Sequence, residues 1–168
     1  GMGRIGRLLC KLLNNTQHRV VAVNDLMTKE NLAYLLEFDS IYGQYFLGKN
    51  HIHVTDNGIA LNEQNIDVFT EPDPSNLPWK KLGVDMVVDC SGRFLTHQAL
   101  SQHLTAGARQ VLLSTTGAQG VPMVIRGFND TNKIIKEPII ASGGCMTNCT
   151  VLLLHHLIQN FGVESVHI

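Results

Sequence analysis

Two buried-type strands joined by a single amphipathic helix constrain this chain more than any other feature. Val84 to Cys90 is an almost unbroken apolar run, the signature of a strand covered on both faces. Ser91-Gly92 then turns the chain, Thr96 to Ala106 carries apolar residues at helical spacing, Gly107 closes that helix, and Gln110 to Ser114 is a second buried strand. A strand–helix–strand unit of this kind, whose helix supplies the long crossover that parallel strands need, is a βαβ unit. The expected class is therefore α/β, with a doubly wound, mainly parallel sheet.

The rest of the chain continues the alternation. Arg4 to Asn14 places Ile5, Leu8, Leu9, Leu12 and Leu13 at helical spacing before the Asn14-Asn15 stop; Val20 to Val23 is a short β-branched run, and Lys29 to Phe38 a second helix. From His51 to Thr70, alternating residues and Asn- and Gly-bearing turns predict antiparallel hairpin strands, appended to the main sheet. Glu71 to Pro78 is a proline-rich loop. Val121 to Val124 and Ile134 to Ile140 supply further strand material, and Cys145 to Phe161 forms one long helix ending at Gly162. Val163 to Ile168 reads as the beginning of a strand.

At 168 residues the chain has room for one domain with a sizeable core and the start of another. An apolar fraction of 44%, a charged fraction of 16% and a net charge of −1 describe an ordinary globular protein. They imply neither a nucleic-acid partner nor disorder. The longest apolar runs are too short for a membrane span, which needs about 18 residues. Of the four cysteines, only Cys145 and Cys149 are close, and the nearest histidines, His155 and His156, are adjacent to each other, so no metal site is expected. Few cysteines and no secretory segment point to a reducing cytoplasm.

Gly1-Met2-Gly3-Arg4-Ile5-Gly6 opens the first helix. Glycines at a strand-to-helix turn let backbone approach a pyrophosphate, whose charge is received by the free N–H groups of the helix N-terminus. Such a turn needs a strand ahead of it, so a first strand is expected to be missing and the chain to be a portion of a longer protein. Gly1-Met2 also reads as a tag residue before a start methionine. Asp25 follows Gly6 at the end of the next strand, where a carboxylate accepts the adenosine ribose hydroxyls and repels a 2′-phosphate, favouring NAD over NADP. The competing reading is that Asn24-Asp25 caps the following helix.

The second constellation is Ala141-Ser142-Gly143-Gly144-Cys145-Met146-Thr147-Asn148-Cys149. A cysteine that begins a long helix meets unpaired N–H groups and the positive end of the dipole, both of which favour a nucleophilic thiolate. Gly143-Gly144 leaves Cys145 approachable, whereas Cys149, one turn further in, reads as core. A disulfide between the two is not expected, because thiols at i and i+4 of an intact helix do not reach bridge geometry.

Gly3-Arg4-Ile5-Gly6-Arg7, Val23-Asn24-Asp25, Asp39-Ser40-x-x-Gly43, Asp73-Pro74-Ser75, Ser91-Gly92-x-Phe94, Gly107-Ala108 and Cys145-x-Thr147-Asn148-Cys149 resemble, in that order, the glyceraldehyde-3-phosphate dehydrogenase family. The resemblance spans essentially the whole chain. It implies a Rossmann-type NAD-binding domain over residues 1–144, lacking its first strand, followed at 145–168 by the first helix of a truncated catalytic domain. It also implies NAD as cofactor, contacted at Gly3, Arg4, Ile5, Gly6, Asp25, Ser91, Gly92 and Ser114. Cys145 is the implied nucleophile. It adds to a phosphorylated aldehyde, hydride passes to the nicotinamide, and a thioester remains for phosphate or water to release. A cytoplasmic homotetramer working in glycolysis is the implied setting.

The chain departs from the family at three places. Gly144 and Met146, in the substrate-binding positions flanking Cys145, replace a serine and a threonine whose hydroxyls help hold phosphate, so phosphate binding should weaken by about tenfold or more. Pro72 replaces an arginine near the adenine. The general-base histidine is expected just beyond Ile168, and His167 reads as a strand residue. Leu77-Pro78-Trp79 and Leu82-Gly83-Val84-Asp85 also look similar to the erythrose-4-phosphate dehydrogenase branch, which releases its acyl group to water. A third reading is a protein that binds NAD without turning over an aldehyde.

Overall fold

The computed structural model describes residues 1–44 and 52–167. In chain order the elements are α1 (Arg4–Leu13), β1 (Ala22–Asn24), α2 (Lys29–Glu37), β2 (Phe38–Asp39), β3 (Gly43–Gln44), β4 (Ile52–Val54), β5 (Gly58–Leu61) and β6 (Gln64–Phe69). A 3-10 turn (Pro74–Asn76) leads to α3 (Trp79–Leu82), β7 (Met86–Asp89), α4 (His97–Thr105), β8 (Gln110–Leu113), α5 (Asn132–Ile135), β9 (Ile139–Ala141) and α6 (Cys145–Phe161). The α/β class and Rossmann-type alternation expected from the sequence are present.

The strands fall into two principal sheets. One has the order β1-β6-β5-β4 and the other β7-β8-β9. The second is parallel throughout, with Val87 opposite Val111 and Val111 opposite Ile139, and its β7–α4–β8 segment is the strand–helix–strand unit read from the sequence. In the first sheet β1 pairs in parallel with β6, placing Val23 opposite Val68. The hairpin strands are therefore not an appendage: β6 runs antiparallel to β5 on one edge and parallel to β1 on the other, which makes the hairpin the continuation of the first sheet. Alternation marks a hairpin but carries no information about what pairs with its outer edge.

Each sheet has its own core. Leu32 and Leu36 of α2 pack with Ile59, Leu61 and Ile66 of the first sheet, all at 1% exposure or less. Leu100 of α4 packs with Val111, Leu113 and Ile139 of the second. Each such aliphatic side chain contributes about 1.5–3 kcal/mol by leaving water. A third cluster, with Leu77, Trp79, Val84 and Ala108 buried and Ala22, Phe69 and Val87 packed against them, links the two sheets. The helices start where hydroxyl caps allow: Thr28 accepts from the Asn31 amide and Thr96 from the Ala99 amide, each cap contributing about 1 kcal/mol.

Three further readings change. Ile134–Ile140 is not one strand: its first half is the end of α5 and only Ile139–Ala141 is strand, because the Glu137-Pro138 step breaks the run. Val121–Val124 contributes one bridge, Met123 to Ala141, rather than a strand. Residues 163–167 are exposed and not strand, and Ile168, like His51, lies outside the described residues. α6 runs over the whole of the expected span, yet no residue of it is buried. Cys149 is accordingly exposed rather than core, because apolar composition alone does not tell which elements are available to cover a helix.

Candidate functional site: a cavity between two sheet edges

β1 and β7 are each paired on one side only among the described strands, and their residues face a common cavity of about 990 Å³. The C-terminal ends of both strands converge on the glycine segment. Beyond β1, Asp25 Oδ2 accepts the Met2 amide at 2.6 Å. Beyond β7, Ser91 lies so close to Gly1 that a Cβ there would come within 2.6 Å of the Ser91 Cα. Gly1 to Gly6, Asp25 and Ser91 are thus gathered at one mouth of the cavity, the end of an α/β sheet at which ligands bind.

The two turn glycines have different reasons to be glycine. Gly6 is buried, and a Cβ on it would collide with the Gly1 carbonyl oxygen. Gly3 is the N-cap of α1, extended, and a Cβ on it would meet no described atom within 4 Å. No described side chain caps α1. With no side-chain cap, the first amides of this 10-residue helix and the positive end of its dipole form a cradle for an anionic group. Arg4 and Ile5 follow on its exposed first turn, Ile5 at 54% exposure.

Asp25 does not cap α2. Thr28 does, and the Asp25 carboxylate instead spans the Met2 amide and, through Oδ1, the Met27 amide at 3.1 Å. Each carboxylate oxygen keeps a second lone-pair site for a hydroxyl. Asn24 is held apart from this by a reciprocal pair of bonds with Glu71, at 2.9 Å each.

Sequence reasoning did not find the support beneath Ser91. Asp89, 4% exposed, accepts the Ser91 amide at 2.8 Å and its hydroxyl at 2.7 Å on Oδ1, while Oδ2 faces His103 Nε2 at 3.4 Å. Burial pushes the Asp89 carboxyl up, but the bonds from His103 and Ser91 outweigh it and hold the group below the ordinary carboxylate range. The one available signal was a histidine three residues after Leu100 on the apolar stripe of α4. Cys90 beside it is half-buried, and burial pushes its thiol up against the bond from Ser114.

Ser114, Gly144 and Cys145 belong to a second cluster, at the C-terminal ends of β8 and β9. The Ser114 amide donates to the Asp89 carbonyl and the Ser142 amide to the Leu113 carbonyl, which ties the cysteine loop to the sheet end. Gly143 has φ 74°, and a Cβ on it would come within 2.9 Å of Ile125, so this position demands glycine twice over. Gly144 is the extended N-cap of the 17-residue α6, and Asn148 braces the loop by donating to the Ser142 and Gly144 carbonyls at 2.8 and 2.9 Å. Cys145 is exposed at the first turn. Gly144 and Met146 offer no hydroxyl, and Met146 is 67% exposed. The Thr116 hydroxyl, from the loop after β8, stands 3.2 Å from where a Gly144 Cβ would be.

The mouth of the cavity, at the carboxyl ends of β1 and β7, offers amides and a helix N-terminus to an anion and the Asp25 carboxylate to neutral hydroxyls, a division that suits a dinucleotide. Fold and site define a dinucleotide-binding α/β domain. The family model described as glyceraldehyde 3-phosphate dehydrogenase, NAD binding domain, matches residues 1–97. Over 166 residues the chain is 39% identical to the glyceraldehyde-3-phosphate dehydrogenase of Mycoplasma pneumoniae, covering 97% of this chain and 48% of that protein. The corresponding enzyme of Haemophilus influenzae is 36% identical, with 98% and 48% covered, and that of Klebsiella pneumoniae 35%, with 97% and 53%. The chain spans about half the length of the curated relatives it matches. It belongs to the glyceraldehyde-3-phosphate dehydrogenase family, and the cofactor of the matched domain is NAD.

Proposed function

We propose that this chain is the dinucleotide-binding part of an enzyme that oxidises glyceraldehyde 3-phosphate, with Cys145 as the covalent nucleophile. Residues 1–144 hold the cofactor and 145–168 begin the catalytic part. The observation that carries the reading is the exposed Cys145 thiol at the uncapped start of a 17-residue helix, tethered through Ser142 to the end of the sheet whose other strand leads to Ser91.

The glycine turn, with Arg4 and Ile5, receives the pyrophosphate; Asp25 receives the adenosine ribose; Ser91-Gly92 and Ser114 lie along the rest of the cofactor. When bound, NAD supplies the hydride acceptor. Cys145 thiolate adds to the aldehyde carbon, and loss of hydride leaves an acyl thioester on the sulfur. Gly143 and Asn148 keep the loop in the shape that exposes the thiol. Phosphate then releases the acyl group. The setting is glycolysis in the cytoplasm, in a homotetramer.

Gly144 and Met146 favour a second reading, hydrolytic release as in an erythrose-4-phosphate dehydrogenase, because neither donates a hydrogen bond to an attacking phosphate. Thr116 returns one hydroxyl to the neighbourhood, which favours the phosphorylating enzyme. NADH formation by the full-length protein, measured with each aldehyde over a phosphate titration, separates them. Saturable dependence on phosphate with glyceraldehyde 3-phosphate supports the first reading, and indifference to phosphate overturns it.

A further inference from the structure

Along the wall of the cavity between β1 and β7 runs a polar path through three side chains that are nearly closed to solvent. Trp79, Asp89 and His103 are 4%, 4% and 5% exposed. The Trp79 indole N–H donates to His103 Nδ1 at 3.1 Å. An indole is a donor only, so Nδ1 carries the lone pair and the imidazole proton sits on Nε2, aimed at Asp89 Oδ2 3.4 Å away. The other oxygen of Asp89 holds both the amide and the hydroxyl of Ser91. That hydroxyl accepts in turn from the Arg93 amide at 3.1 Å, closing the turn over Gly92 at φ 69°.

The path is directional. It begins on α3, crosses α4 and ends on a turn packed against Gly1, with the His103 ring held between Trp79 and the edge of Phe94, each at 6.3 Å. A buried carboxylate is costly unless its partners are fixed, and well-packed apolar residues would stabilise this interior at least as well. What the polar path provides and an apolar core does not is a fixed orientation for Ser91.

We propose that His103 is a positioning residue for the dinucleotide: locked by Trp79, it holds the Asp89 carboxylate and so fixes the Ser91–Gly92 turn beside the glycine turn of α1. This rests on the NAD reading above. His103 touches no ligand itself and acts through Asp89.

The test measures NAD dissociation constants and melting temperatures of the full-length protein for the wild type and two variants. His103→Phe keeps a planar aromatic ring, somewhat larger than imidazole, and removes both bonds. His103→Gln keeps one acceptor and one donor at the end of the side chain. The positioning role predicts about tenfold weaker NAD binding for His103→Phe and recovery to within about threefold for His103→Gln, since one oriented hydrogen bond is of that size. A folded His103→Phe protein with wild-type NAD affinity, whatever its melting temperature, overturns the role and leaves the NAD reading standing. A wild type that does not bind NAD overturns the parent reading and this one with it. If His103→Phe does not fold, imidazole nitrogen NMR of the wild type decides. A neutral Nε2–H tautomer whose resonance moves on NAD addition supports the role, and a resonance indifferent to NAD overturns it.

Discussion

The Met2 amide donates to Asp25 Oδ2 at 2.6 Å, joining the glycine segment that opens α1 to the residue that ends β1. One carboxylate thus shapes the turn, and in the proposed reading it also receives the adenosine ribose. Asp25→Asn keeps an acceptor for Met2 but removes the charge. It should weaken NAD about tenfold and narrow the preference for NAD over NADP, as titration with both cofactors would show. An unchanged preference would mean that Asp25 does not set cofactor choice.

Gly3 and Gly6 should respond oppositely to alanine. Gly6→Ala drives a Cβ into the Gly1 carbonyl oxygen, and the expected cost is about 1–3 kcal/mol of stability. Gly3→Ala has room and an ordinary backbone conformation, so the melting temperature should stay within a degree or two while NAD affinity falls. Thermal denaturation with and without NAD separates the two effects.

The four cysteines should differ in alkylation rate. Burial pushes the Cys10 thiol up to about 11, so at pH 8 only about a thousandth of it is thiolate. Cys90 is half-buried and raised in the same direction. Cys145 and Cys149 are exposed, and Cys145 alone sits at a helix start. Peptide mass mapping after brief iodoacetamide treatment should find label on Cys145 first, Cys149 next and Cys10 last.

Acid stability should carry the signature of Asp39. The amides of Tyr42 and Ile41, with help from Arg7, hold its carboxyl at about 2. A carboxyl lowered in the folded state stabilises the fold fully above its ordinary value near 4 and loses that contribution as pH falls through about 2. Asp39→Asn should therefore flatten the stability profile between about pH 4 and 2 and leave its shape above pH 5 unchanged, as urea titrations across that range would reveal.

Much of this was legible in the sequence where a local rule sufficed. Gly107 and Gly162 marked helix ends, Thr96 marked a start, and Gly143-Gly144-Cys145 marked a loop-to-helix step, because caps and breakers act within one turn of chain. The place of Asp25 just past β1 was legible by spacing, while its bond to the Met2 amide was not. What escaped depends on contacts between distant segments. The pairing of β6 with β1 joins residues that alternation treats as independent, and the exposure of Cys149 depends on which face of α6 other segments cover: Phe128 packs on His155, while Cys149 stays open. The Trp79–His103–Asp89–Ser91 path escaped for the same reason: each member reads separately as core, helix stripe, strand end and turn.

In the proposed reaction Cys145 carries the acyl group while NAD takes the hydride. The most direct measurement is a single-turnover reaction of the full-length protein with NAD and glyceraldehyde 3-phosphate, without phosphate, followed by NADH absorbance and intact and peptide mass. A burst approaching one NADH per chain and an acyl adduct on Cys145 are expected, both abolished in Cys145→Ser. A burst that survives in Cys145→Ser, or an adduct on Cys149 instead, would contradict it.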